Sequence, residues 1–220
     1  MALAIICELD LAELDARWIE ALRRRHDPQV TFVPAHVTLV FPFEGGQAAD
    51  IEAHAAAIAA DSAPIALHLA RLAAVQDPLG ALSRLFLLPT AGGEALSGLH
   101  DALYSGPLAA WLRTDIAYAP HVTVGAFSTL VAAQDALKAV GAIDIAGEIR
   151  AFDLVAFDGR SLERLRRFPL GPNAKQPPGE GRLFCDAWVR EQDLNLRPSG
   201  YEPDELPGCS IPRQDRGVLS

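Results

Sequence analysis

One tetrapeptide pattern occurs twice in this chain, as His36-Val37-Thr38-Leu39 and as His121-Val122-Thr123-Val124, 85 residues apart and each close behind a proline, Pro34 or Pro120. With 6 histidines in 220 residues, chance supplies about 0.01 copies of a His-Val-Thr run, so two copies require a cause. Duplication of a lobe is such a cause, and it constrains the fold to two related halves. Both copies fall in segments that read as strands, 32–41 and 119–127. Residues i and i+2 of a strand share a face, about 6 to 7 Å apart. His36 then stands beside Thr38 and His121 beside Thr123, while Val37, Leu39, Val122 and Val124 anchor the opposite face.

The segments around the copies repeat as well. Strand patterns at 3–9, 32–41 and 65–69 enclose two helical patterns, one with Leu11, Leu14, Trp18 and Leu22 behind an Asp10 cap, the other at 47–60. A short apolar strand at 84–88 opens a second series, with helices at 94–104 and 129–140 around the strand at 119–127. Strands at 143–157 and 162–168, joined around Asp158-Gly159, close it. The expected class is α+β, two pseudo-symmetric β-α-β-α-β lobes. Residues 1–175 form this domain. From Gln176 onward Pro177, Pro178, Pro198, Pro203, Pro207 and Pro212 interrupt every periodic pattern, so residues 176–220 read as an irregular or disordered tail. Its run from Asp193 to Pro207 resembles the conceptual translation of the antisense strand of a tRNA gene, as expected of a reading frame that continues beyond the domain.

Composition narrows the function. Half the residues are hydrophobic and 21% are charged, which supports a buried core. The apolar runs are shorter than the roughly 20 residues that span a bilayer, and Glu8 and Asp10 come too early for a signal peptide. Cys7, Cys185 and Cys209 are odd in number and form no Cys-x-x-Cys pair, as expected of a reduced cytoplasmic protein without a disulfide framework or structural zinc. A net charge of -9 argues against long nucleic acid as a ligand, while a small anion can still meet a local arginine. No membrane partner is expected, and the chain reads as a monomer.

Two imidazoles across a cleft form an acid and base pair near neutral pH, because histidine titrates there. A threonine hydroxyl beside each can donate to an anionic oxygen, and a phosphodiester matches that set of groups. The catalytic candidates are His36 and His121, and the substrate-binding candidates are Thr38 and Thr123. The chain shows no His-Glu-x-x-His, paired-aspartate run or Gly-x-x-x-x-Gly-Lys loop, so no metal or other cofactor is expected.

The paired His-x-Thr-aliphatic motifs resemble those of the 2H phosphoesterase superfamily. Within it, His36 to Phe41 followed by Glu44-Gly45, and Tyr118 to Val124, are similar to the motifs of bacterial 2′-5′ RNA ligase and 2′,3′-cyclic phosphodiesterase proteins. The resemblance spans about residues 1–170 and implies a bilobal fold whose antiparallel sheets face each other across a cleft. It also implies a metal-independent phosphoesterase acting on cyclic phosphates or 2′-5′ linkages of RNA ends or nucleotides. An RNA-end binding or processing factor, or ligation by the same site run backwards, is the alternative. Gly125-Ala126 stand where many members carry an arginine.

Other side chains read as structural. His26 and the Arg23-Arg24-Arg25 run suit a solvated helix end, where the dipole favours positive charge. His54 and His100 lie on helices beside apolar stripes, and His68 lies on the face of its strand opposite Ile65, Leu67 and Leu69, from which it could look into a cleft. Arg160, Arg164, Arg166 and Arg167 form a surface ladder with Glu163, or one of them reaches a ligand phosphate. Phe41, Phe43 and Phe127 read as core, with base stacking as the other use. Ending the chain at Lys175 is expected to leave activity and stability intact. A loss above about 2 kcal/mol in denaturant unfolding, against totals of about 5 to 15, overturns that boundary.

Overall fold

The apolar run that opens the chain is continuous because both of its faces are covered. It forms strand β1 (Ala2–Glu8), in which Ile5 and Cys7 face the main core while Ala4 and Ile6 join Val155 on the other side of the sheet. The computed structural model describes residues 1–77 and 80–171. The expectations for residues 176–220 lie outside the described residues.

The elements follow in order as β2 (Asp10–Leu11), α1 (Glu13–His26), β3 (His36–Phe43), α2 (Ala48–Asp61), β4 (Ile65–Gln76), β5 (Ser83–Ala91), α3 (Gly93–Leu103), a 3-10 turn (Gly106–Trp111), β6 (Val122–Phe127), α4 (Leu130–Ala139), β7 (Ile145–Ile149), β8 (Ala151–Phe157) and β9 (Leu162–Pro169). The series β1-α1-β3-α2-β4 and β5-α3-β6-α4-β7 follow the expected β-α-β-α-β order along the chain, but they are not the two halves of the sheet, because β4 pairs with β5 and β7 while β8 and β9 join β1 and β3. All strands lie in one sheet in the order β2-β7-β4-β5-β6-β3-β1-β8-β9, and every pairing in it is antiparallel. The sheet has two halves, β3-β1-β8-β9 and β6-β5-β4-β7-β2, which meet where Val37 of β3 pairs with Val122 of β6.

Four helices cover one face. Ile19 and Leu22 of α1, Ile51 and Ala55 of α2, and Leu96, Leu99 and Leu103 of α3 are buried there with Leu39, Leu85, Leu87 and Val124 from the strands. The packing crosses the seam, for α1, which follows β1, lies on β6, and α3, which follows β5, lies on β3. The opposite face carries both His-Val-Thr motifs.

Several local expectations are corrected. Asp10 does not cap α1; it lies in β2 opposite Glu148, its carboxylate accepts from Arg150 Nε at 2.8 Å, and the helix starts after Ala12 with no side-chain cap. Leu14, read as part of the helix's apolar stripe, is 78% exposed. Strand β3 begins at His36 rather than residue 32, because the preceding chain turns around Asp27, whose carboxylate accepts from the Gln29 N–H. The run 143–157 is two strands. It breaks at Arg150, β7 pairing with β4 and β8 with β1 in the other half. Alternating hydrophobicity records which face is buried and carries nothing about the partner strand. The hairpin at Asp158-Gly159 forms as expected, with Gly159 at φ 90° and the Asp158 carboxylate accepting from the N–H groups of Arg160 and Ser161.

Gly125 is explained by the crossing of α1 over β6. A Cβ there would lie 3.0 Å from the His26 Cβ of α1 and 2.8 Å from the Phe127 ring, so helix and strand approach closely only because no side chain intervenes. Gly125→Val is expected to cost about 1 to 3 kcal/mol in chemical denaturation, the scale of an overpacked core. Unchanged stability would mean that α1 does not rest on β6 at this point.

Candidate active site

His36 opens β3 and His121 stands immediately before β6. In both, the residues behind the histidine turn the chain so that a carbonyl two positions back meets the ring. His36 Nδ1 lies 2.8 Å from the Pro34 carbonyl, and His121 Nδ1 lies 2.7 Å from that of Ala119. A carbonyl only accepts, so Nδ1 carries the proton in each neutral ring and Nε2 is left as the basic nitrogen. Two residues on, Thr38 and Thr123 are half-buried on the same faces, while Val37 and Val122 between them are buried.

All four side chains line one cavity of about 290 Å³. Its other walls come from β1 (Ala4, Ile6), β5 (Arg84, Phe86) and β8 (Val155, Phe157), with Phe41 and Ile116 nearby. Phe86 stacks on the His121 ring at 3.8 Å between centroids. Among the described residues, no group of three or more His, Cys, Asp or Glu side chains has a geometry that could hold a metal ion.

Burial is the main force on both imidazoles. It pushes His121 down to about 4, opposed by the bond to the Ala119 carbonyl and reinforced by the nearby His36. His36 is also pushed below its ordinary value by burial, with the Pro34 carbonyl opposing and Arg23 adding to the fall. An arginine and aspartate pair stands near each ring: Arg23 with Asp27 at 2.9 Å near His36, and Arg84 with Asp77 at 3.0 Å near His121.

Arg23 corrects the reading of a solvated arginine run. It is 2% exposed and lines the cavity, and all three of its nitrogens are engaged, by Asp27, by Glu20 at 2.7 Å and by the Val33 carbonyl at 2.6 Å. Arg24 and Arg25 are exposed as expected. An acidic residue three before and another four after Arg23 was the available signal, since a buried arginine requires such partners. Arg84 and Phe86 were missed as site residues because the short strand that bears them looked only apolar. His26 is half-buried with its ring 5.2 Å from that of Phe127, rather than solvated.

The other histidines stand apart from this cavity. His100 is buried, bonds the Leu39 carbonyl at 2.7 Å and stacks on Tyr118, and His54 bonds the Leu103 carbonyl at 3.1 Å. His68 does not look into the cleft; it lies between Thr90 Oγ1 and Asp144 Oδ1, each at 2.7 Å. Arg164, Arg166 and Arg167 pair with Glu8, Asp153 and Glu52 instead of Glu163, because β9 is an edge strand whose side chains reach across to β1, β8 and α2. Phe43 is core against Trp111, and Phe41 lines the cavity.

A family model described as the 2′-5′ RNA ligase superfamily matches residues 12–161. A protein of Geobacillus thermodenitrificans (strain NG80-2), named "Putative phosphoesterase", is 30% identical over 105 residues, which are 47% of this chain and 57% of the relative. One of Bacillus licheniformis with the same kind of name is 30% identical over 104 residues, 46% of this chain and 58% of the relative. The chain thus spans a little over half the length of the curated relatives it matches. TT0787 of Thermus thermophilus superposes with a TM-score of 0.55 at 19% identity, over 79% of this chain and 100% of that one. E. coli LigT complexed with 3′-AMP does so with a TM-score of 0.50 at 19% identity, over 77% and 98%. The likeness extends to the whole fold and bears out the bilobal α+β architecture.

The lowered His121 has a consequence for stability. Unfolded, it titrates near 6.5; folded, near 4, so between those values the unfolded chain binds the extra proton. Its contribution is full above about pH 6.5 and is lost as the pH falls toward 4. His121→Gln is expected to flatten the fall of unfolding free energy across that window. An unchanged slope would place the ring in solvent.

Proposed function

The chain belongs to the 2′-5′ RNA ligase superfamily, the 2H phosphoesterases, and from that premise we propose that it hydrolyses cyclic phosphates or 2′-5′ phosphodiester linkages of nucleotides or RNA ends by paired-histidine acid and base catalysis. The observation that carries this reading is the matched placement of His36 and His121, each with Nδ1 on a backbone carbonyl and both lining one cavity with a threonine beside them.

In the proposed reaction one neutral imidazole takes a proton from water through Nε2 as the water oxygen bonds to phosphorus. The other, protonated, gives its proton to the alkoxide as the P–O bond breaks. Thr38 and Thr123 donate to the non-bridging oxygens as charge builds on them. Burial leaves both rings neutral near pH 7, which suits the base; the acid gains its proton when the anionic phosphate enters, because an opposite charge at hydrogen-bond range favours the imidazolium. No step calls on a metal. E. coli LigT has a structure complexed with 3′-AMP, and a nucleotide of that kind is the product proposed here, a cavity of about 290 Å³ being at the small-ligand scale.

The test is turnover of 2′,3′-cyclic mononucleotides, cyclic-phosphate-ended oligomers and a 2′-5′ dinucleotide, with EDTA present and the product phosphate position determined. His36→Ala and His121→Ala are each expected to lose about 100- to 10,000-fold, with the double variant little worse. Thr38→Val and Thr123→Val, which keep shape and remove the donor, lose less. A histidine variant that retains more than about a tenth of the activity rejects the mechanism.

A further inference from the structure

The two halves of the cavity are related by the repeat but are not equivalent. Thr123 lies opposite Phe86 on β5 as Thr38 lies opposite Ile6 on β1, so Arg84, two residues before Phe86, corresponds to Ala4. One end of the cavity is therefore aromatic and cationic. The other, beside His36, holds the closed Arg23-Asp27 pair and an apolar wall of Ala4, Ile6, Val155, Phe157 and Leu162.

Of the two arginines that line the cavity, Arg23 is committed to the fold, with every nitrogen bonded. Arg84 is bound to Asp77 through Nε, and among the described residues its side chain bonds no other group, so Nη1 and Nη2 keep their donors for a ligand. Its side chain is 24% exposed, against 2% for Arg23. Arg84 is also the cross-strand neighbour of Ala126, one residue past Gly125, in the segment where the motif itself supplies no cation. Nothing polar is contributed by the five residues of the wall, which suits the flat apolar face of a base and reads none of its edges.

We propose that the cleft takes its substrate in one direction, an anionic oxygen of the phosphate end on the Arg84 fork beside His121 and the nucleobase against the apolar wall beside His36. This rests on the phosphoesterase reading and adds an orientation that the motif pair cannot supply. Asp77 holds the guanidinium aimed until a phosphate oxygen joins it. Because the wall reads no base edge, affinity varies little among the bases.

Calorimetric titration of the full chain at pH 7 with inorganic phosphate and with a nucleoside 3′-monophosphate tests it, with thermal melts of each variant. Arg84→Gln is expected to weaken both probes about tenfold or more, the scale of a lost charge-assisted bond. Asp77→Asn keeps wild-type affinity for phosphate or tightens it. Leu162→Ser weakens the nucleotide and leaves inorganic phosphate unchanged. If Arg84→Gln does not fold, Arg84→Lys, which keeps the charge and loses the fork, is read in its place with the same sign. Wild-type affinity in the Arg84 variant, equal losses in the Arg84 and Asp77 variants, or no effect of Leu162→Ser overturns the orientation alone. A wild-type chain that binds neither probe overturns the phosphoesterase reading with it.

Discussion

The site depends on a seam one residue pair wide. Val37 and Val122 join β3 to β6, and both histidines are one position before that pair. Beyond it, β3 pairs with β1 on one edge only, and side chains meet other backbone groups of it: the Tyr118 hydroxyl donates to the Thr38 carbonyl, His100 bonds the Leu39 carbonyl, and the Phe41 N–H donates to the Tyr104 hydroxyl. Buried backbone groups require partners, and satisfying these with aromatic and imidazole groups lets the strands diverge and a cavity open between them. The crossed packing of α1 on β6 and α3 on β3 then fixes the halves relative to each other.

Burial under this arrangement also sets the chemistry. Placing two imidazoles in one enclosed space favours their neutral forms, and the nearby His36 adds to the reluctance of His121 to protonate. The arginine and aspartate pairs differ in the same way as the halves. Arg23 with Asp27 is buried and closed, a strut whose loss would leave a charge without its partner, whereas Arg84 with Asp77 is half-open toward the cavity. A duplicated scaffold thus produces a site with two distinct ends.

Part of this was legible in the order of residues. The recurrence of His-Val-Thr marked two related halves, and strand alternation put each histidine on the same face as its threonine. The series of elements followed from hydrophobic period and turn residues, down to the Asp158-Gly159 hairpin. The failures were of two kinds. Arg23 looked like a helix-end charge because helical position does not reveal whether another element will cover it. The run from 143 to 157 looked like one strand because alternation does not name a partner, and Arg150 breaks it where the chain passes from one half to the other.

What the sequence by itself determined, then, is local: which residues alternate, where the chain turns, and that a histidine and a threonine recur together twice. Strand pairing, the contact of Val37 with Val122, the stacking of Phe86 on His121 and the burial that lowers both imidazoles were decided only by the tertiary structure. The reason is physical. Period and propensity arise from interactions within a few residues, whereas pairing, burial and electrostatic environment come from segments far apart in the chain, such as Phe86 and His121 or Val37 and Val122, whose meeting depends on the packing of the entire chain.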